Sequence, residues 1–306
     1  MTDVALGRSG LRVPPLLVGC WAWGDAKYWG YERAQAGGLV DALEVACDGG
    51  LDAFDTAEVY GDGASEKILG FLSARRATPV RVATKFGLLP GRTARTLPLA
   101  LRASLKRLGR ARIELYQVHW PDQRMASIPS LMDALADAVA DGLVQAVGVS
   151  NFSADELRRA HDALARRGIA LASNQVRYGL LDRSPERDGV LAACRELDVA
   201  LLAYSPLAQG ALSGRYDSAT RPADRRATEP WFSPTALDAA RPLVAALQRL
   251  GEARGVGASE IALAWAMRPG VVPIVGCREG AHAAAAVRAL SVTLSDDERD
   301  QLSRLA

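Results

Sequence analysis

Short apolar or β-branched runs alternate along this chain with stretches whose apolar residues recur every three or four positions. The runs Leu16–Cys20, Ala53–Asp55, Val80–Thr84, Leu115–His119, Ala146–Ser150, Ala172–Gln175, Ala200–Tyr204 and Val272–Val275 each read as a short strand. They are nearly continuous in apolar character, as a parallel strand covered on both faces requires. Between them, Leu39, Leu43 and Ala46 share one helical face, and so do Leu97, Leu101, Leu105 and Leu108. Ser127 is placed to cap a helix over Pro129–Asp141, and Ser153 with Glu156 forms a capping box opening a helix that reaches Arg166. Ahead of all these, Val4 to Val13 carries the turn signal Arg8-Ser9-Gly10, which predicts a β-hairpin. The polar, arginine-rich stretch Asp217 to Pro234 is long for a connector; it reads either as a flap over a ligand or as a mobile loop.

Alternating strands and helices define the α/β class with a parallel sheet, and eight such units suggest closure into a (β/α)8 TIM barrel. On pattern alone a doubly wound open sheet is the alternative. No linker or low-complexity tract interrupts the chain, so residues 1–306 read as one domain. It comprises an N-terminal β-hairpin, the barrel, and a long loop after strand 7.

Composition narrows the function. Of 306 residues 49% are hydrophobic, enough for a large core, and 37 basic against 35 acidic side chains leave a net charge of +2. That balance offers no basic field for nucleic acid, and no apolar run approaches the roughly 18 residues of a membrane span, so the expected partner is a small molecule. Cys20, Cys47, Cys194 and Cys277 are scattered without a C-x-x-C pair, which argues against a zinc site or a disulfide framework. The N-terminus does not read as a signal peptide, and a cytoplasmic location is expected. Nothing in the sequence specifies an oligomeric partner.

In a barrel, catalytic groups sit at the carboxyl ends of strands. Three of those ends carry four candidates: Asp55 with Tyr60 in the loop just beyond it, Lys85, and His119. Each has an ordinary reading: a turn former, a packed ring, a solvated cation, a hydrogen-bonded spacer. Scarcity favours more, because the chain has only four lysines and three histidines. A tyrosine hydroxyl, with an ordinary pKa of ~10, needs help to act as an acid-base group near neutrality. An ammonium about 4 Å away supplies roughly the 3–4 kcal/mol that a shift of two or three units requires at an effective dielectric of ~20. Lys85 is therefore expected to lower the pKa of Tyr60, with Asp55 holding Lys85 charged and His119 orienting a carbonyl oxygen. The set lacks an activated nucleophile, which counts against a hydrolase.

Here the chain resembles a known family. Asp55-Thr56-Ala57-Glu58-Val59-Tyr60-Gly61, Ala83-Thr84-Lys85, His119-Trp120-Pro121, Gly148-Val149-Ser150-Asn151-Phe152, Asn174-Gln175 and Ala203-Tyr204-Ser205-Pro206-Leu207 are similar, in order, to motifs of the aldo-keto reductases. The resemblance implies a catalytic tetrad of Asp55, Tyr60, Lys85 and His119. His119, where steroid C=C reductases of the family carry Glu, implies reduction of a carbonyl.

The resemblance also implies a nicotinamide nucleotide bound in extended form, consistent with the absence of a G-x-G-x-x-G turn between strand and helix. Ser150, Asn151 and Gln175 would bind its carboxamide, Tyr204 would stack on the nicotinamide ring, and Ser205, Leu207, Gln209, Gly210 and Arg215 would meet the pyrophosphate. The segment from Gly276 to Arg278 would surround a 2′-phosphate, making NADPH the expected cofactor over NADH. His282 and Ala286 stand where the family often has Gln and Asn, so His282 would take over adenine contact. Trp21, Trp23, Trp29, Trp120 and Trp231 fall where a barrel mouth would be and are expected to wall a pocket for an apolar or aromatic carbonyl compound. Trp265 reads as core. Two other readings compete: an NADPH-binding regulatory subunit resembling channel-associated β subunits, and a lyase using Lys85 as a Schiff-base nucleophile.

Overall fold

The computed structural model describes residues 2–306. Strands β1 (Val4–Ala5) and β2 (Arg12–Val13) pair antiparallel as the predicted hairpin. The eight predicted barrel strands all form: β3 (Leu17–Gly19), β4 (Ala53–Asp55), β5 (Arg81–Phe86), β6 (Ile113–Val118), β7 (Val144–Ser150), β8 (Leu171–Arg177), β9 (Ala200–Tyr204) and β10 (Val271–Gly276). They pair in parallel and close in the order β10-β3-β4-β5-β6-β7-β8-β9, with β9 completing the ring against β10. The structure is thus a (β/α)8 barrel, and the open-sheet alternative falls.

Helices α1 (Ala36–Asp48), α2 (Ala64–Ser73), α3 (Leu97–Leu108), α4 (Ile128–Ala140), α5 (Ala154–Ala165), α6 (Ser184–Arg187), α7 (Val190–Glu196), α8 (Pro234–Glu252), α9 (Ala258–Ala266), α10 (Gly280–Ala289) and α11 (Asp296–Leu305) accompany the strands. Ser127 and Ser153 cap α4 and α5 as their sequence contexts predict, Ser153 within a full capping box. Among the described residues no helix is long and apolar enough to cross a membrane.

Two cores follow from the strand period. On β5, Val82 and Phe86 face the helices, whereas Ala83 joins an inner layer with Ala53, Leu115, Ala146, Ala200 and Leu202. Small side chains dominate that layer because the barrel axis is crowded. Leu6, Leu11 and Val13 of the hairpin segment belong to the same inner cluster, so the hairpin plugs the barrel at the amino ends of its strands. Each fully buried Leu or Phe contributes roughly 1.5–3 kcal/mol by leaving water. Access is left at the opposite end, where the inward positions turn polar.

The long segment after β9 is not a bare loop. Ala208, Ala211, Phe232 and Leu237 form their own small core beneath it. Arg221 donates to the carbonyl of Phe232 at 2.6 Å, and Arg226 donates to that of Gln209 at 3.1 Å. These contacts give it the character of a fitted cover.

Packing is tight where α2 meets the end of α3. A Cβ on Gly70 would lie 2.6 Å from the carbonyl oxygen of Leu108, a backbone atom that cannot swing away. Gly70→Ala is therefore expected to destabilise the fold by about 1–3 kcal/mol, read as a lower denaturant midpoint with an unchanged slope.

Candidate active site

Beyond the inner apolar layer, the inward positions of β4, β5 and β8 are Asp55, Lys85 and Gln175. Lys85 is fully buried and its Nζ makes three contacts: Asp55 Oδ1 at 2.6 Å, the carbonyl oxygen of Thr56 at 2.9 Å, and Tyr60 Oη at 3.3 Å. Burial works against the ammonium, but Asp55 and Tyr60 outweigh it and hold the pKa of Lys85 above its ordinary value. Tyr60 reaches this position because the chain turns sharply after it. Gly61 has φ of 55° and its Cα lies against the backbone of Gly24, where a side chain would not fit.

The sign of the Tyr60 shift reverses the expectation from sequence. Burial pushes its phenol above the ordinary value; Lys85 pulls it down, while Asp55 and Tyr204 act with burial. The favourable cation and its carboxylate partner are both expected from sequence; the desolvation of the phenolate, which residue type does not show, outweighs the cation.

His119 is 6% exposed, lies flat on Trp120 with ring centroids 3.6 Å apart, and meets the Tyr60 ring edge-on at 5.7 Å. Burial first, and Lys85 second, hold its pKa well below the ordinary value, so the imidazole is neutral. Its Nδ1 is buried without a partner. A lone pair tolerates that position better than an N–H, and we assign the proton to Nε2.

A cavity of about 540 Å³ opens over this cluster. It contains Asp55, Tyr60, His119, Ser150, Asn151, Gln175 and Tyr204, and runs to Ser205, Leu207, Gln209, Gly210, Arg215, Gly276, Arg278 and His282. Its near wall is already knit together. Ser150 Oγ donates to the carbonyl of Gln175 at 2.8 Å, Asn151 Nδ2 donates to that of His119 at 3.0 Å, and Tyr204 Oη donates to Asn151 Oδ1 at 3.0 Å. At the far end, Ser205, Ala208 and Gln209 all take left-handed backbone conformations with φ between 48° and 54°, and Gly210 follows at 105°. Within this turn the N–H groups of Ala208 and Gly210 donate to the carbonyls of Ser205 and Leu207, each at 2.9 Å, so the loop is a closed turn against the cavity. Arg278 is held below its ordinary pKa by burial and by Arg226. Among the described residues neither Arg278 nor Arg215 has a carboxylate within 4.0 Å. This end of the cavity therefore carries positive charge short of partners, and a bound pyrophosphate or phosphate would supply them.

The tryptophans divide. Trp21 lies 6.0 Å from Tyr60 and stacks on Tyr28, and Trp21 and Trp120 line the reaction end. Trp23 is not a pocket wall: it is fully buried, with Nε1 donating to the carbonyl of Cys277 at 2.7 Å and its ring on Phe54. Trp29 lines the cavity, edge-on to Trp21 at 5.4 Å and 5.8 and 5.5 Å from the guanidinium groups of Arg226 and Arg278. Trp231 packs under Arg177 and beside the small core of the cover and is not among the lining residues. Trp265 is core, against Tyr178.

Several lining residues escaped the sequence reading. Arg177 follows Gln175 by two on the same strand, so strand period alone places it on the same face. Arg226 and Glu229 reach the wall only through the fold: Tyr28 Oη lies 2.5 Å from Glu229 Oε1 and 3.0 Å from Gln209 Oε1, joining the loop after β3 to the cover.

A parallel barrel with this polar cluster at its mouth has the layout of a barrel enzyme, whose catalytic groups stand at the carboxyl ends of its strands. The chain belongs to the aldo/keto reductase family, whose model matches residues 15–306; members of that family are NAD(P)H-dependent oxidoreductases. It is 36% identical over 309 residues to the chloroplastic pyridoxal reductase of Arabidopsis thaliana, covering 97% of this chain and 84% of that protein. An uncharacterized oxidoreductase of Mycobacterium tuberculosis is 36% identical over 302 residues, 96% of this chain and 90% of its own. Among solved structures, glycerol dehydrogenase from Gluconobacter oxydans aligns with a TM-score of 0.87 at 27% identity, covering 99% of this chain and 94% of that one. An aldo-keto reductase from Klebsiella pneumoniae in complex with NADPH aligns with a TM-score of 0.77 at 27% identity, covering 100% and 95%.

The neutral His119 has a consequence for stability. Its folded pKa is depressed, so the unfolded chain binds its proton first as pH falls. The stability it contributes is complete above about pH 6.5, the unfolded value, and is lost progressively below it. Urea denaturation at neutral pH and near pH 5 should show His119→Asn losing less stability on acidification than the parent.

Proposed function

We propose that this protein reduces an aldehyde or ketone to the alcohol, with NADPH as electron donor in preference to NADH. The observation that carries the reading is a phenol hydroxyl 3.3 Å from a buried ammonium, beside a neutral imidazole, at the mouth of a cavity with an arginine-rich far end. Bound NADPH supplies the hydride that carbonyl reduction needs. Gln175 with Ser150 and Asn151 would hold the carboxamide, Tyr204 the nicotinamide face, and the Ser205–Gly210 turn with Arg215 the pyrophosphate. Arg278 would clamp the 2′-phosphate, with His282 near the adenine.

The chain's own groups account for the proton. His119 Nε2–H donates to the carbonyl oxygen and fixes it near Tyr60. Tyr60 gives its proton to that oxygen as negative charge develops there, because an alkoxide is a stronger base than a phenolate. The phenolate left behind is held by Lys85, which Asp55 keeps charged. A phenol whose pKa is raised is well suited to this direction, since it is fully protonated at neutral pH. Trp21, backed by Tyr28, and Trp120 offer aromatic walls to a flat or apolar carbonyl compound. The cytoplasm is the proposed compartment, supported by four unpaired cysteines.

Tyr60→Phe should lower kcat about 10²–10⁴-fold while NADPH still binds, measured by nucleotide fluorescence; unimpaired turnover would refute the proton-donor role. Because the Tyr60 pKa is raised, the parent's reduction rate should hold through neutral and mildly alkaline pH and fall only above ~10. Arg278→Ala should weaken NADPH binding about 10–100-fold and leave NADH binding nearly unchanged. Equal losses for both nucleotides would remove Arg278 from 2′-phosphate recognition.

A further inference from the structure

Asp55 has two carboxylate oxygens, and they serve different partners. Oδ1 accepts from Lys85 Nζ at 2.6 Å, and Oδ2 accepts from Gln175 Nε2 at 2.8 Å. A carboxylate only accepts, so the amide of Gln175 must turn its nitrogen toward Asp55 and its oxygen away. Among the described residues that oxygen accepts no hydrogen bond, and Gln175 lines the cavity. The side chain is 2% exposed, and its backbone carbonyl is held by Ser150 Oγ and by the backbone N–H of Asn151, so it has little freedom to choose other partners.

We propose that Gln175 is a positioning residue for proton transfer: its Nε2 takes up part of the charge of Asp55, leaving Lys85 less neutralised beside Tyr60. Its Oε1 remains for an N–H donor on the molecule that enters the cavity, so one side chain ties occupancy to the acidity of the phenol. The charged and titratable groups facing this cluster are Lys85 from β5, Asp55 from β4, His119 beyond β6, Tyr204 at the end of β9 and Cys20 beyond β3. Gln175 is the neutral dipole among them that bonds to the carboxylate directly. Removing its donor concentrates the negative charge of Asp55 on Lys85 and makes phenolate formation harder. Replacing it with Glu sets a second carboxyl against Asp55, which acts in the same direction once that carboxyl ionises.

The inference rests on Tyr60 as the proton donor, and the test separates the two. Tyr60 is titrated in the nucleotide-free protein by phenolate absorbance, as the difference between each protein and its Tyr60→Phe counterpart. In Gln175→Leu and in Gln175→Glu the titration should move upward by about half a pH unit or more, and the alkaline limb of kcat should move with it. The Glu variant, close to Gln in shape, keeps the experiment decisive if the Leu variant fails to fold. A Tyr60 titration unmoved in both, with only nucleotide affinity reduced, would overturn the proposal and leave Gln175 as a simple ligand. Retained turnover in Tyr60→Phe would instead sink the proton-donor reading, while the titration would still decide what Gln175 does to the phenol.

Discussion

The buried pair Lys85–Asp55 organises this barrel mouth. Both groups are nearly or wholly out of water, and a buried charge without its partner costs several kcal/mol. The pair is tolerable only because every remaining valence is met: Thr56 supplies a carbonyl to the ammonium, and Gln175 supplies an N–H to the carboxylate. Asp55 comes from β4 and Lys85 from β5, adjacent strands, whereas Gln175 comes from β8, well round the ring. The ion pair and its hydrogen bonds therefore brace the barrel across its diameter at the level where ligands enter.

Support from behind follows the same rule. Glu66 is fully buried in α2, yet Arg107 reaches it at 2.6 Å and Thr84, next to Lys85, donates to it at 2.6 Å. Ser65 bonds the hydroxyl of Thr56 and the carbonyl of Cys20, each at 2.8 Å. The strand ends bearing Asp55 and Lys85 are thus held by polar contacts on their outer faces as well as by apolar packing. Rigidity here is matched by strain along the cavity. Asn151, Ser205, Ala208 and Gln209 hold left-handed conformations that cost on the order of 1–3 kcal/mol each.

Most of the frame was legible in the sequence because it rests on period. Strand runs, helix faces and the caps Ser127 and Ser153 are local signals, and the structure moves their limits by only a few residues. Asp55, Tyr60, Lys85 and His119 were legible because the carboxyl ends of barrel strands are a place defined by topology, and all four are gathered there. What escaped depends on distances that sequence does not carry. Trp23 and Trp21 are two residues apart, yet one turns into the core to bond Cys277 and the other faces Tyr60. The role of Arg226 appears only once the cover has folded back onto Gln209. The direction of the Tyr60 shift failed for a related reason: the favourable cation could be guessed from residue type, but the desolvation opposing it is a property of the packed site.

That reversed shift changes how the cluster is understood. Burial drives the phenol up and the imidazole down, so at neutral pH both are uncharged, and Lys85 and Asp55 cancel one another. The mouth of the barrel is then electrically balanced before a ligand arrives, with two O–H and N–H donors facing the cavity. In the proposed reaction a new negative charge on a carbonyl oxygen in such a low-dielectric site would not be compensated by a waiting cation but relieved by moving a proton. The charge would then rest on Tyr60, whose hydroxyl lies 3.3 Å from the ammonium. On that proposal the ion pair would favour the product of proton transfer over its starting state, which is the differential stabilisation that catalysis requires.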